Sequence, residues 1–158
     1  LIKWPQLQGR VCLVMPGFSN DEAYYEALQV RIGRGVLKGA VEIRPYDRSK
    51  TIQEIYADAD LFLFLTRYEG FGLPVVEAQA LDVPVVCSGI PVLREVGGDG
   101  ACYVDPADAE AVANELERII SDPLEREAMV KAGHTNIKRF SWAQMAKATA
   151  QVYRSAAH

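Results

Sequence analysis

The chain has 158 residues and a formal net charge of −4. That length suits one domain over residues 1–158, burying about two-thirds of its unfolded surface, and the negative balance argues against nucleic acid or an anionic membrane as main partner. No apolar run approaches the ~20 residues of a bilayer span, and Leu1-Ile2-Lys3-Trp4-Pro5 lacks the layout of a signal peptide.

Apolar runs alternate with helical periods along the chain, the pattern of an α/β fold with a parallel sheet covered by helices on both faces. The first strand is expected over 11–15. Asp21 caps a helix over 21–32, and the glycine-rich loop 33–39 leads into a strand over 41–44. A helix over 51–57 ends before Asp58-Ala59-Asp60. This Asp-x-Asp lies between a helix end and a buried strand, so one Asp reads as a cap and the other as solvated. A strand over 61–65, a loop and a helix over 74–81 follow, then a strand over 83–87. Ser88-Gly89-Ile90-Pro91 reads as a loop at the carboxyl end of the sheet, where ligands bind in open α/β folds. Gly97-Gly98-Asp99-Gly100 is a turn before a strand over 101–104. Helices over 108–121, 124–137 and 141–155 close the chain, the first and last capped by Asp108 and Ser141. In helix 108–121, Val112, Leu116, Ile119 and Ile120 form one apolar stripe. Cys12, Cys87 and Cys102 sit inside strand-like runs and read as buried reduced thiols of a cytosolic protein. His134 and His158 have no zinc-ligand spacing, and no metal site is expected.

The most informative stretch is Glu69-Gly70-Phe71-Gly72-Leu73-Pro74-Val75-Val76-Glu77, between strand 61–65 and helix 74–81. Gly70 and Gly72 can take backbone angles closed to other residues and admit a ligand close to the chain. Pro74 is pre-set for a first helical turn. The amides opening that helix have no internal partner and form a site for phosphate. Glu77, about one turn in, could accept two hydrogen bonds from vicinal ribose hydroxyls, each worth roughly 1.5–3 kcal/mol to a charged acceptor. Glu69 could reach a sugar on the far side of the phosphates. A plain turn followed by a Glu that complements the helix dipole has the same spacing.

At these residues the chain resembles the retaining family-4 glycosyltransferases of GT-B fold, the glycosyl transferases group 1. The Glu-x7-Glu spacing around Phe71-Gly72-Leu73-Pro74 carries the likeness. Asp58-Ala59-Asp60, Thr66-Arg67-Tyr68, Pro84-Val85-Val86, Glu95-Val96, Val104-Asp105-Pro106 and Phe140-Ser141-Trp142 fall in the family's order. The resemblance implies a Rossmann-like, C-terminal, donor-binding domain. It implies that Glu77 holds the ribose, that Glu69 is the catalytic carboxylate beside the transferred sugar, and that the amides around Gly70, Phe71, Gly72 and Leu73 face sugar and phosphate. Thr66 falls in the same donor-binding segment, and Arg44 and Tyr46 at the end of strand 41–44 are the positions nearest the nucleobase. The donor would be a nucleotide-sugar such as GDP-mannose or UDP-glucose, bound as substrate without metal or other cofactor. The protein would be cytoplasmic, peripheral to the membrane at full length.

The family's domain usually begins with a strand ending in Gly-Arg and a helix reached through Lys-Gly, whose cations neutralise the diphosphate. Neither has a counterpart here, and residues 1–10 resemble the tail of that helix. The chain is therefore expected to be a fragment or one part of a split protein, lacking a central strand, or else to pair the two strands beside that gap in a rearranged sheet; an acceptor-binding N-terminal domain is also absent, and the chain is expected to be inactive alone. Asp82 stands where the family usually has Gly, and Leu65 where Pro is frequent. Three other readings remain open: a GT-B sugar-nucleotide epimerase, a non-catalytic nucleotide-binding or assembly module, and a folding unit whose helix 141–155 awaits a partner.

Overall fold

A computed structural model describes residues 13–16, 21–35, 38–44 and 47–156. The chain divides into two compact units, Leu1–Lys50 and Thr51–His158.

In the first unit, β1 (Leu13–Pro16) pairs in parallel with β2 (Val41–Arg44), Leu13 opposite Val41 and Pro16 opposite Arg44. Between them runs α1 (Glu22–Ile32), whose N-cap Asp21 accepts a hydrogen bond from the Tyr24 N–H at 2.9 Å. Residues 11–12, the expected start of the first strand, and residues 1–10, read as the tail of a helix, lie outside the described residues. So does Cys12.

The second unit begins with α2 (Ile52–Tyr56). Its Thr51 and Glu54 form a reciprocal capping box, each satisfying the other's backbone N–H. A three-stranded parallel ladder follows, in the order β3 (Phe62–Phe64), β4 (Val85–Ser88), β5 (Ala101–Val104). Phe62 is in register with Val85, and Val85 with Ala101. Among the described residues no ladder joins this sheet to β1 and β2.

Alternation along β4 divides the core. Val85 and Cys87 pack with Val75 and Ala78 of α3 (Leu73–Ala80) and Leu93 of α4 (Pro91–Gly97), with Phe62, Phe64 and Tyr103 beside them. Val86, between those two residues, points the other way into a cluster with Val104 and with Val112 and Ile119 of α5 (Ala109–Ser121), bordered by Leu63, Cys102 and Met129. Every residue of β4 is buried. A parallel strand covered on both faces must be a near-continuous apolar run, which is why 83–87 was readable as a strand.

Asp122 caps α6 (Pro123–Ile137), accepting from the amides of Leu124 and Glu125, with Pro123 in the first turn. Ser141 accepts from the Gln144 N–H at 3.3 Å at the start of α7 (Trp142–Ala156). No residue of α7 is buried, and Trp142, Met145, Val152 and Tyr153 on it are more than half exposed.

Two local features depart from expectation. The segment between Ser88 and Gly97 contains a helix, α4, where the sequence suggests only a loop at 88–91 and a turn at 97–100. It begins with Pro91 in the first turn and buries Leu93, Val96 and Gly97 on one side. A single 3-10 turn, Gly98–Gly100, then leads into β5. Asp82, after α3, adopts a left-handed backbone with φ of 63°. That conformation favours glycine, and it accounts for the residue type that Asp82 replaces. Its carboxylate forms an ion pair with His134 on α6.

Candidate functional site

Residues 65–72 connect the carboxyl end of β3 to α3. Two tertiary contacts and one backbone conformation shape this loop. At its start, the Thr66 N–H donates to Oγ of Ser88 at 2.8 Å; Ser88 is the fully buried last residue of β4. The Thr66 hydroxyl donates to the Tyr68 carbonyl at 2.9 Å and accepts from the Tyr68 N–H at 3.3 Å, closing a tight polar turn. Near the loop's end, the Phe71 ring meets Phe140.

Gly72 is the N-cap of α3 and has φ of 90°. A Cβ there would overlap the Leu93 side chain. Both the backbone conformation and the space therefore require glycine. Gly70 differs: it has no positive φ, and a Cβ there would meet nothing within 4 Å. It is placed in open space beside the loop, where a ligand can approach the chain.

No side chain caps α3. The Val75 N–H turns back to the Gly72 carbonyl at 3.0 Å, and Pro74 has no N–H. Among the described residues the amides of Gly70, Phe71, Gly72 and Leu73 have no protein acceptor. Such a cluster of open donors at a positive helix end attracts an anion.

Glu69 precedes these amides and Glu77 lies in the second turn of α3. Both are half-buried, and neither carboxylate makes a hydrogen bond or ion pair among the described residues. Tyr56, at the end of α2, backs Glu77. Its hydroxyl donates to the Pro74 carbonyl at 3.3 Å, and its ring packs edge-on against Phe62 at 5.4 Å. Burial, with the Glu77 carboxylate second, raises the phenol's pKa well above its ordinary value, so Tyr56 stays a neutral donor.

The opposite face of α3 is anchored by a buried amide pair. Gln79 Nε2 donates to the Gly97 carbonyl at 2.8 Å, and Asn136 Nδ2 on α6 donates to Gln79 Oε1 at 2.8 Å and to the Val96 carbonyl at 2.7 Å. Gly100 and Gly133 lie so close to Gln79 that a Cβ at Gly100 would come within 2.5 Å of the Gly133 backbone.

Past β4, the Gly89 N–H donates to the Val104 carbonyl at 2.8 Å, and the Gly89 carbonyl accepts from Arg94 Nε at 2.9 Å. The Arg94 guanidinium lies 4.8 Å from the Tyr103 ring centre. A hollow of about 310 Å³ opens here between Arg94, Tyr103 and Asp105, and none of residues 66–77 lines it.

Glu69, Gly70, Phe71, Gly72, Leu73, Glu77 and Thr66 thus share one loop–helix junction. Arg44 ends β2 in the first unit, opposite Pro16. Tyr46 lies outside the described residues. Tyr56, Asn136 and Phe140 were not singled out for the site by sequence, and Ser88 was read only as part of a loop at the ligand-binding end of the sheet. Among the described residues no group of three or more His, Cys, Asp or Glu is placed to hold a metal ion, and no helix is long and apolar enough to cross a membrane.

The second unit is an α/β, Rossmann-like domain with a helix end of unpartnered amides between two carboxylates. The chain belongs to the glycosyl transferases group 1 family, whose model matches residues 3–136. It is 32% identical over 145 residues to O-antigen chain mannosyltransferase B of Escherichia coli, covering 92% of this chain and 38% of that protein. It is 37% identical over 106 residues to the MMP alpha-(1->4)-mannosyltransferase of Mycolicibacterium hassiacum, covering 65% of this chain and 26% of the other. Among solved structures, sucrose-phosphate synthase from Thermosynechococcus elongatus aligns with a TM-score of 0.77 at 26% identity, over 90% of this chain and 38% of that one. Anabaena HepE, in complex with UDP and glucose, aligns with a TM-score of 0.83 at 22% identity, over 95% and 42%. The fold is that of GT-B glycosyltransferases, and the chain spans about two-fifths of the length of the first of these relatives.

Proposed function

We propose that this chain is the donor-binding part of a retaining glycosyltransferase that takes a UDP- or GDP-sugar and, with an N-terminal acceptor domain, transfers the sugar to an acceptor hydroxyl. The observation that carries the reading is the set of amides at residues 70–73 without a protein acceptor, flanked by two carboxylates that pair with no side-chain cation among the described residues. The mannosyltransferase relatives and the UDP and glucose of HepE favour a hexose donor.

In this reading the diphosphate lies against the amides that open α3. Negative charge grows on that leaving group as the sugar becomes oxocarbenium-like, and fixed amide dipoles stabilise it without reorganising and without a metal. Glu77 receives the ribose hydroxyls and so sets the register of the diphosphate. Glu69 orients the sugar and favours positive charge at its anomeric carbon. Thr66 shapes the loop's entry. The working protein would be cytoplasmic, peripheral to the membrane where its acceptor is lipid-linked.

Titration calorimetry with UDP and GDP tests the reading. Binding to this chain, weakened in Glu77→Ala, is the expected result. Equal affinity in Glu77→Ala rejects the ribose role.

A further inference from the structure

Glycines flank Phe71 on both sides, and the space around Gly70 is empty. A segment of that kind has little local reason to hold one conformation, so its order must come from tertiary contacts. Thr66 is tied to Ser88 at one end. At the other end the tie is Phe71 against Phe140, edge to face, with ring centres 5.7 Å apart and planes at 83°.

Phe140 lies in the turn between α6 and α7 and is itself held. Its N–H donates to the Ile137 carbonyl at 3.0 Å, and the Arg139 guanidinium sits 5.3 Å from its ring centre. Arg139 donates to Asn136 Oδ1 at 2.7 Å and to the Glu95 carbonyl at 3.2 Å. Asn136 is the residue that binds Gln79 on α3. One turn of chain, 136–140, therefore touches the candidate loop through Phe140 and the candidate helix through Asn136.

We propose that Phe140 is a positioning residue of this site: by holding Phe71 it keeps the amides of residues 70–73 in register with Glu77. The bearing on ligand binding rests on the nucleotide-sugar reading above; the hold on the loop does not.

Hydrogen exchange in this chain separates the two. An edge-to-face pair is worth enough to raise loop opening roughly three- to tenfold when lost. The Val75 N–H, which is bonded to the Gly72 carbonyl, should exchange faster by that factor in Phe140→Leu and at the wild-type rate in Phe140→Tyr, which keeps the ring. Amides 85–88 of β4 should be unchanged in both. Unchanged exchange at the Val75 amide in Phe140→Leu overturns the proposal. If Phe140→Leu does not fold, Phe71→Leu puts the same question from the exposed partner, with the same outcomes. Calorimetry with UDP and GDP supplies the second readout, with affinity expected to fall by a similar factor in Phe140→Leu and to recover in Phe140→Tyr. Equal affinity in wild type and Phe140→Leu overturns the positioning role. No affinity in wild type sinks the nucleotide reading, while the exchange result still decides what holds the loop.

Discussion

Asn136 on α6 donates its side-chain amide to Gln79 on α3 across 57 residues of sequence, and both side chains are more than nine-tenths buried. The bond fastens the helix that carries Glu77 to an element outside the site. In Asn136→Ala, the Gln79 carbonyl loses its donor in a dry setting, and Arg139 loses an acceptor. A buried polar group left unpaired costs about 1–3 kcal/mol. Urea unfolding should show a loss of that size.

Gly72→Ala should be more damaging than an ordinary loop substitution. The left-handed backbone costs an L-residue about 1–2 kcal/mol, and the new methyl would meet Leu93 in the core. Unfolding should shift by at least that amount, and nucleoside diphosphate affinity should fall with it. Gly70→Ala, in open space, should be nearly neutral to stability.

Asp82→Gly should stabilise the chain. It removes the strain of a positive φ at the expense of an exposed ion pair with His134, whose worth at such a surface is small, about 0–1 kcal/mol. A gain of up to about 1 kcal/mol in denaturant unfolding is expected. A loss would mean that the His134 pair outweighs the backbone.

Glu69→Gln keeps the shape of the side chain and removes its charge. In the full-length protein, transfer should slow by about 10²-fold or more with little change in donor KM, the signature of an interaction made mainly in the transition state. A raised KM with unchanged kcat would assign Glu69 to plain binding.

Stability should fall in alkali. Burial pushes the Cys87 thiol from about 9 up to about 12, with Cys102 a lesser cause, and pushes Cys102 itself up to about 11. A raised folded-state pKa gives a contribution that is full below pH 9 and is lost as pH climbs towards 11–12. Urea midpoints at pH 8 and pH 10.5 should differ, and the difference should shrink in Cys87→Ala.

Much of the architecture was visible in residue pattern. β4 stands out because a strand buried on both faces is a near-continuous apolar run, and Asp21, Asp108 and Ser141 mark helix starts because short polar side chains satisfy first-turn amides. Helix α4 was hidden because its seven residues are too few for a helical period, and Gly89 and Gly97 frame it like a loop. At the site, the placement of Gly72, Pro74 and Glu77 follows from local backbone rules. Tyr56, Ser88 and Phe140 do not, since each reaches the site by a fold-dependent contact with no local pattern.

Ser88 ends β4 with its hydroxyl taking the Thr66 amide, a place where the next acceptor in a ladder would ordinarily be a main-chain carbonyl. A side-chain oxygen thus chooses the point at which sheet gives way to loop. Mutation can erase that choice from the interior, so variation at a buried serine would surface as a displaced loop at the candidate site.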